Sequence, residues 1–339
     1  MKHLEHRIYE AIAKVYGGPT VMKGYNANEV GAVMAAAWGE FADPVGIGLD
    51  ASRFDQHVSV PALRWEHSVY SSLHVGQDRA ELQRLLKMQI RNKGFARTGG
   101  GTVKYEVHGS RMSGDMNTAL GNCLLMCGLV HAYCTEHQIR IRLLNNGDDC
   151  MCIMERKDAG KFDKLPLWFL SMGFTMKVEP MVDVLERCVF CQAQPVCVDG
   201  AYRMVRDPRI AMAKDSCSFL PLSQGDAARR YLGTLGDCGL SLNSGVPVLQ
   251  AYFEAFTKAS MGLRMGECTA METGMSQLAR RMESRTAEIA PSTRCSFWKA
   301  FDIVPDVQVA LEDYHSRWEF VPTVLQREFA VDHGYPLQL

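Results

Sequence analysis

The chain has 339 residues, with 37 Lys and Arg against 38 Asp and Glu, 47% hydrophobic residues and a formal charge of -1. Such a composition belongs to ordinary folded domains and excludes collagenous, coiled-coil and long disordered chains. Near-neutrality argues against holding nucleic acid by bulk positive charge, while leaving local basic surfaces open.

Apolar spacing predicts helices over residues 3–15 and 27–40, separated by the turn Gly17-Gly18-Pro19. The charged start MKHLEHRIYE does not read as a signal peptide, which points to a reducing compartment where the 12 cysteines are thiols. The longest apolar runs, Gly31 to Trp38 and Cys123 to Val130, fall short of the roughly 18 to 20 residues of a membrane span. Cys188-x-x-Cys191 lacks a second pair at zinc-binding spacing, and Cys123-x-x-x-Cys127 reads as one face of a buried helix. Pro44 to Asp50 reads as a buried strand that ends on an acid. A helical pattern runs from Pro61 to about Ile90. It overlaps the most basic stretch, in which Arg79, Arg84, Lys87, Arg91, Lys93 and Arg97 face one acid, Glu81. After the turn Gly99 to Gly101, alternation over Thr102 to Val107 favours a strand.

A helix is expected over Met116 to Tyr133, capped by Ser113 or Asp115. Two short strands, Ile139 to Leu144 and Cys150 to Met154, flank Asn145-Asn146-Gly147-Asp148-Asp149, the composition of a hairpin turn. Residues 158–172 read as a helix, Phe174 to Val178 as a strand, and Arg187 to Gln192 with Pro195 to Val198 as a hairpin. Beyond about 205 the pattern is mostly helical, with loops expected at Gly233 to Gly239 and Asn243 to Pro247.

Four carboxylates stand where chemistry is displayed: Asp50 and Asp55 after a strand, and Asp148 and Asp149 in a turn. Adjacent carboxylates repel, and an oxygen-only donor set suits Mg2+ or Mn2+. On composition alone, Gly-Asp-Asp reads equally as a solvated turn.

The order of three strings is more specific. GLDASRFDQHVS, GSRMSGDMNTALGN and NNGDDC resemble motifs A, B and C of viral RNA-dependent RNA polymerases, and within them the tombusvirus and carmovirus relatives. The resemblance runs from about Lys2 to at least Lys214. It implies an α+β right-hand polymerase: a palm with an antiparallel sheet and helices over 42–60 and 104–200, partial fingers over 1–41 and 61–103, and a helical thumb over 201–339.

It also implies roles. Asp50 and Asp148 would share two Mg2+ or Mn2+ ions, with Asp149 a supporting ligand. Asp55, Ser113 and Asn122 would sense the ribose 2′-hydroxyl, supported by Thr118, while Gly114 would let the motif B loop swing. In Phe174-Thr-Met-Lys177, Lys177 would protonate the leaving pyrophosphate. Phe190, Cys191 and Gln192 would support the primer end. Arg84, Lys87, Arg91, Lys93 and Arg97 would line the template channel, with Arg203, Arg206, Arg209 and Lys214 a second RNA-binding set.

The implied partners are single-stranded RNA template, nascent RNA, ribonucleoside triphosphates and a viral auxiliary replication protein. The implied setting is a membrane-associated replication complex in the host cytoplasm. The sequence departs from the family at the front, where the basic motif F that grips the triphosphate is missing. Two alternatives therefore stand beside the polymerase reading: a reverse transcriptase-like enzyme, and a non-catalytic RNA-binding fragment.

Overall fold

The structure, a computed structural model, describes residues 4–218, 220, 222, 226–266 and 275–320. Of the expected thumb, residues 321–339 and the other omitted positions lie outside the described residues. The chain divides into two compact units, Met1–Asp207 with Ile289–Pro305, and Pro208–Glu288 with Asp306–Leu339.

The first unit is organised by a mixed helix and sheet core. Helices α1 (Glu5–Tyr16) and α2 (Ala27–Trp38) lead into strand β1 (Pro44–Ala51). Asn26 starts α2 with a capping box: its side chain accepts from Glu29 N at 2.9 Å, and Glu29 Oε2 accepts from Asn26 N at 2.8 Å. A short helix α3 (Phe54–His57) follows, then α4 (Val60–Ser72) and α5 (Gly76–Lys87), so the helical pattern over Pro61 to Ile90 is two helices rather than one. Strands β2 (Arg91–Thr98) and β3 (Gly101–His108) form an exposed two-stranded ribbon. The basic run therefore crosses from α5 into a strand that its sequence reads as helix and loop.

Helix α6 (Thr118–Glu136) and strands β4 (Ile141–Asn146) and β5 (Asp149–Glu155) complete the centre. With β6 (Met176–Val178), the strands form an antiparallel sheet in the order β4-β5-β1-β6. Residues Cys150 to Met154 of β5 are all at most 2% exposed. A strand sandwiched on both faces has no solvent side to reserve for polar residues, hence its unbroken apolar run. Among the described residues α6 is the one helix long and apolar enough to cross a membrane. Here its apolar positions, from Leu120 through Cys123, Met126 and Cys127 to Val130 and Tyr133, pack into the core. Each such side chain contributes about 1.5–3 kcal/mol.

Three expectations in this unit need correction. Residues 158–172 are not one helix but a turn of helix at Arg156–Ala159, a 3-10 segment at Gly160–Lys164 and a helix at Leu165–Ser171. The small hairpin is Ala193–Val198 with Ala201–Arg206, while Arg187 to Gln192 is a 3-10 end and a turn. Helix α6 begins at Thr118 behind Asn117 with no side-chain cap, so neither Ser113 nor Asp115 caps it, and the Ser113 hydroxyl donates to Asp55 Oδ2 instead. The helix Pro291–Phe301 belongs to this unit too, where Ser296 Oγ accepts from Cys197 N at 2.8 Å.

The second unit is helical. Its helices Ala227–Asn243 and Leu249–Ala259 pack closely. Gly233 to Gly239, expected as a loop, lies inside the first of these helices. A Cβ on Gly233, Gly236 or Gly239 would lie within 3 Å of Leu263 O, Thr257 or the Phe253 ring. The glycines are there for a close approach of helices, which composition alone reads as flexibility.

Candidate active site

Register places the carboxylates. On β1 and β5, Pro44 pairs with Glu155 and the ladder runs to Asp50 opposite Asp149. On the other side Asp50 pairs with Lys177 of β6. Cross-strand partners present their side chains on one face, so Asp50, Asp149 and Lys177 lie side by side at one end of the sheet.

Asp148 stands next to them in the two-residue turn between β4 and β5. Gly147 has φ +88, a left-handed conformation that glycine adopts without penalty. The buried Asn145 fixes this turn: its Nδ2 donates to Gly147 O at 2.7 Å and its Oδ1 accepts from Gly147 N at 3.2 Å. The same residue pairs through its backbone with the N-terminal strip, as Asn145 N donates to Thr20 O at 2.8 Å and Met22 N to Asn145 O at 2.9 Å.

The charges here are unbalanced. Asp50 and Asp148 are exposed, and no ion pair reaches either among the described residues. Burial raises the Asp149 carboxyl above its usual range, a backbone hydrogen bond from Cys191 opposes the shift, and Asp148 and Glu179 add to it. That bond runs from Cys191 N to Asp149 Oδ2 at 2.9 Å. No three His, Cys, Asp or Glu side chains among the described residues make a ready ion cage. An Mg2+ ion needs none, since it is commonly held by one or two carboxylates plus water and substrate oxygens. An uncompensated, all-oxygen set of this kind fits such an ion.

Cys191 and its neighbours form a strained turn. Phe190 and Ala193 exchange backbone hydrogen bonds of 2.9 and 3.1 Å, and the two residues between them, Cys191 and Gln192, have φ of +51 and +60. Two non-glycine residues in the left-handed region cost of the order of 1–3 kcal/mol each. The turn aims the Cys191 amide at Asp149, and the buried Phe190 anchors it. Desolvation beside Asp149 pushes the Cys191 thiol up to about 12, which favours its protonated form.

A second cluster forms around Asp55. Arg53, with φ +51, breaks the chain out of β1 and starts α3, bringing Asp55 towards α6. Both oxygens of Asp55 are engaged: Ser113 Oγ donates to Oδ2 and Asn122 Nδ2 to Oδ1, each at 2.7 Å. The Oδ1 of Asn122 is buried and has no partner among the described residues, an acceptor left open beside this pair. Thr118 Oγ1 donates to Met112 O at 3.0 Å, tying the helix start to the loop that carries Ser113 and the exposed Gly114.

The basic residues are less concerted. Arg84 is paired with Glu81 at 2.7 Å, and Arg91 and Lys93 share Glu106, whereas Lys87 and Arg97 are exposed without an ion pair. Across the ribbon Arg91, Lys93, Phe95 and Arg97 face His108, Glu106, Lys104 and Thr102. One side is therefore basic around an exposed Phe95. Arg203 bonds Asn28 at 2.6 Å, and Arg206 bonds Gln192 at 3.2 Å.

Sequence reasoning missed the pair Glu66 and Arg111, both fully enclosed. A signal was present: Glu66 falls between Leu63 and Tyr70 on the buried stripe of α4, where a charge is costly unless paired.

The family model described as viral RNA dependent RNA polymerase matches residues 1–321. The chain is 44% identical to the RNA-directed RNA polymerase of tobacco necrosis virus (strain D), an alignment covering 97% of this chain and 46% of that one. It is 43% identical to the same-named protein of maize chlorotic mottle virus, over 94% of this chain and 33% of that one. The corresponding figures for turnip crinkle virus are 39% identity, 95% and 41%. The chain thus spans less than half the length of these relatives. Their names favour neither the reverse transcriptase-like nor the non-catalytic alternative.

Proposed function

The chain belongs to the family of viral RNA-dependent RNA polymerases, and on that premise we propose that it houses the centre for template-directed RNA synthesis from ribonucleoside triphosphates, replicating a positive-strand viral genome. The observation that carries the proposal is the pairing of Asp50 with Asp149 across β1 and β5, beside an unneutralised Asp148.

In this reading Asp50 and Asp148 hold two Mg2+ or Mn2+ ions. Such ions stabilise the attacking and leaving oxygens of an in-line displacement. Asp149, tethered by Cys191, acts as a supporting ligand and keeps the primer-side turn against the sheet. Phosphoryl transfer depends chiefly on positioning and charge stabilisation, so few other reacting groups are needed. Lys177, the ladder neighbour of Asp50, delivers a proton to the departing pyrophosphate in this reading.

Asp55, bonded by Ser113 and Asn122, selects ribose: a 2′-hydroxyl can donate to the carboxylate or to the open Asn122 Oδ1, and a deoxyribose leaves that buried acceptor unanswered. Gly114 gives the Ser113 loop its freedom to move. Lys87, Arg97 and the basic side of the ribbon contact template phosphates, with Arg203, Arg206, Arg209 and Lys214 a second such set. On this assignment residues 42–60 and 104–200 are palm, 1–41 and 61–103 fingers, and those from 201 thumb. An auxiliary viral protein would complete a membrane-associated complex in the host cytoplasm.

Primer extension on a short RNA template with Mg2+ or Mn2+ tests the reading. Incorporation that is lost in Asp148→Ala and prefers ribonucleotides supports it. Synthesis unchanged in Asp148→Ala, or a preference for deoxyribonucleotides, rejects it.

A further inference from the structure

Glu66 has no part in the chemistry above, yet its carboxylate receives both ends of one loop. From the N-terminal side come Arg111 Nη2 and, at 3.5 Å, Arg111 Nη1. From the C-terminal side comes Asn117 Nδ2, at 2.8 Å. Between these anchors run residues 112–116, which carry Ser113 and Gly114. The Glu66 and Arg111 side chains are 0% exposed, and a ring of neighbours holds them. Gln89 Nε2 donates to Asn117 Oδ1 at 2.6 Å, and Gln89 Oε1 lies 3.1 Å from His67 Nε2. Above the pair sits Gly121, where a Cβ would come within 2.4 Å of Glu66 Oε1 and 2.6 Å of Arg111 Nη2. The anchor also reaches the ribose cluster directly, since Arg111 N donates to Asp55 O at 2.8 Å.

We propose that Glu66 is a positioning residue for ribose selection: its carboxylate clasps the neck of loop 112–116 and so presents Ser113 to Asp55 in a single geometry. The inference rests on the polymerase reading given above. A buried ion pair is a weak source of net stability, because desolvation offsets its attraction. What a two-ended clasp does supply is order. Five residues closed between fixed points sample far fewer arrangements than a loop free at one end, and a selecting hydroxyl misplaced by about 1 Å loses much of its effect. Glu66 touches neither substrate nor reacting atoms; it acts through Arg111 and Asn117.

The test uses the full-length polymerase with Glu66→Gln, which keeps the side-chain volume and removes the charge. Two quantities are read: amide hydrogen exchange over residues 111–118, and the ratio of kcat/KM for a ribonucleotide to that for its 2′-deoxy counterpart. The clasp requires faster exchange confined to that segment and a fall of about tenfold in the ratio. Unchanged exchange there, or a loosened loop with an unaltered ratio, overturns it. Should Glu66→Gln fail to fold, Asn117→Ala removes one anchor and leaves the ion pair whole; the Asn117 side chain does not cap α6, so the same two readings decide. If the parent enzyme makes no RNA, the polymerase reading and the ribose role fall together, while exchange still reports whether Glu66 holds the loop.

Discussion

Two carboxylate clusters lie within five residues of each other at the end of β1, and they are built on opposite plans. Asp55 has both oxygens bonded by protein side chains at 2.7 Å, and one of those partners, Ser113, sits on a loop whose neck is closed by a buried ion pair. Asp50 and Asp148 take part in no ion pair among the described residues, although Lys177 is the ladder neighbour of Asp50, and Asp149 has one backbone amide against burial and two neighbouring acids. In the first cluster protein side chains bond the carboxylate and leave one acceptor, Asn122 Oδ1, open; the second lacks such partners, as the proposed cation site requires. Recognition of a neutral hydroxyl needs donors and acceptors already in place. Binding of a charged triphosphate with its ions needs negative charge held in reserve.

The contrast can be broken from either side. The largest effect is expected at the open cluster: Asp50→Ala or Asp148→Ala should lower the rate of primer extension by at least about 10²–10³-fold, with thermal unfolding unchanged or slightly delayed, because a repulsion is relieved. Adding Mg2+ at about a hundred times its dissociation constant should stabilise the protein by about 2.7 kcal/mol, read as a rise in Tm that the doubly substituted Asp50→Ala, Asp148→Ala protein does not show. At the Asp55 cluster, Gly121→Ala drives a methyl into the Glu66–Arg111 pair and should cost about 1–3 kcal/mol in denaturant unfolding. Ser113→Ala removes one bond to a charged acceptor and should reduce the ribonucleotide preference about tenfold in competition assays, leaving Mg2+ binding intact.

The smallest effect concerns pH. Burial lowers the His67 pKa, with Glu66 and the Gln89 bond opposing it. The unfolded chain then binds the extra proton more readily than the folded one, so stability is lost as pH falls through the ordinary histidine range. His67→Gln should flatten that acid-side decline in Tm, and an unchanged slope would assign the decline to other groups.

Much of this was legible in the sequence because it rests on local pattern. The continuous apolar run of β5 and the Asn-Gly-Asp composition of its turn mark the hairpin, and the acid at the end of Pro44 to Asp50 marks its partner. The expectation set Asp50 against Asp148, whereas the strand register puts Asp149 opposite Asp50 and Asp148 in the turn beside it. What escaped depends on residues far apart. Ser113 has the chemistry of a helix cap, but Asp55, 58 residues earlier in the chain, claims its hydroxyl. Glu66 carries a local sign in its place on the apolar stripe of α4, but its partner Arg111 is 45 residues away and nothing local links the two. The glycines at 233, 236 and 239 read as a loop because nothing local announces the helix they lie against.

Asn145 gives the molecule a lever. Its backbone is shared with Thr20 and Met22, and its side chain brackets Gly147, so the strip at 20–22 and the turn bearing Asp148 have no slack between them. Residues well outside the acidic motifs are thereby hydrogen-bonded to the one that brackets the turn carrying Asp148.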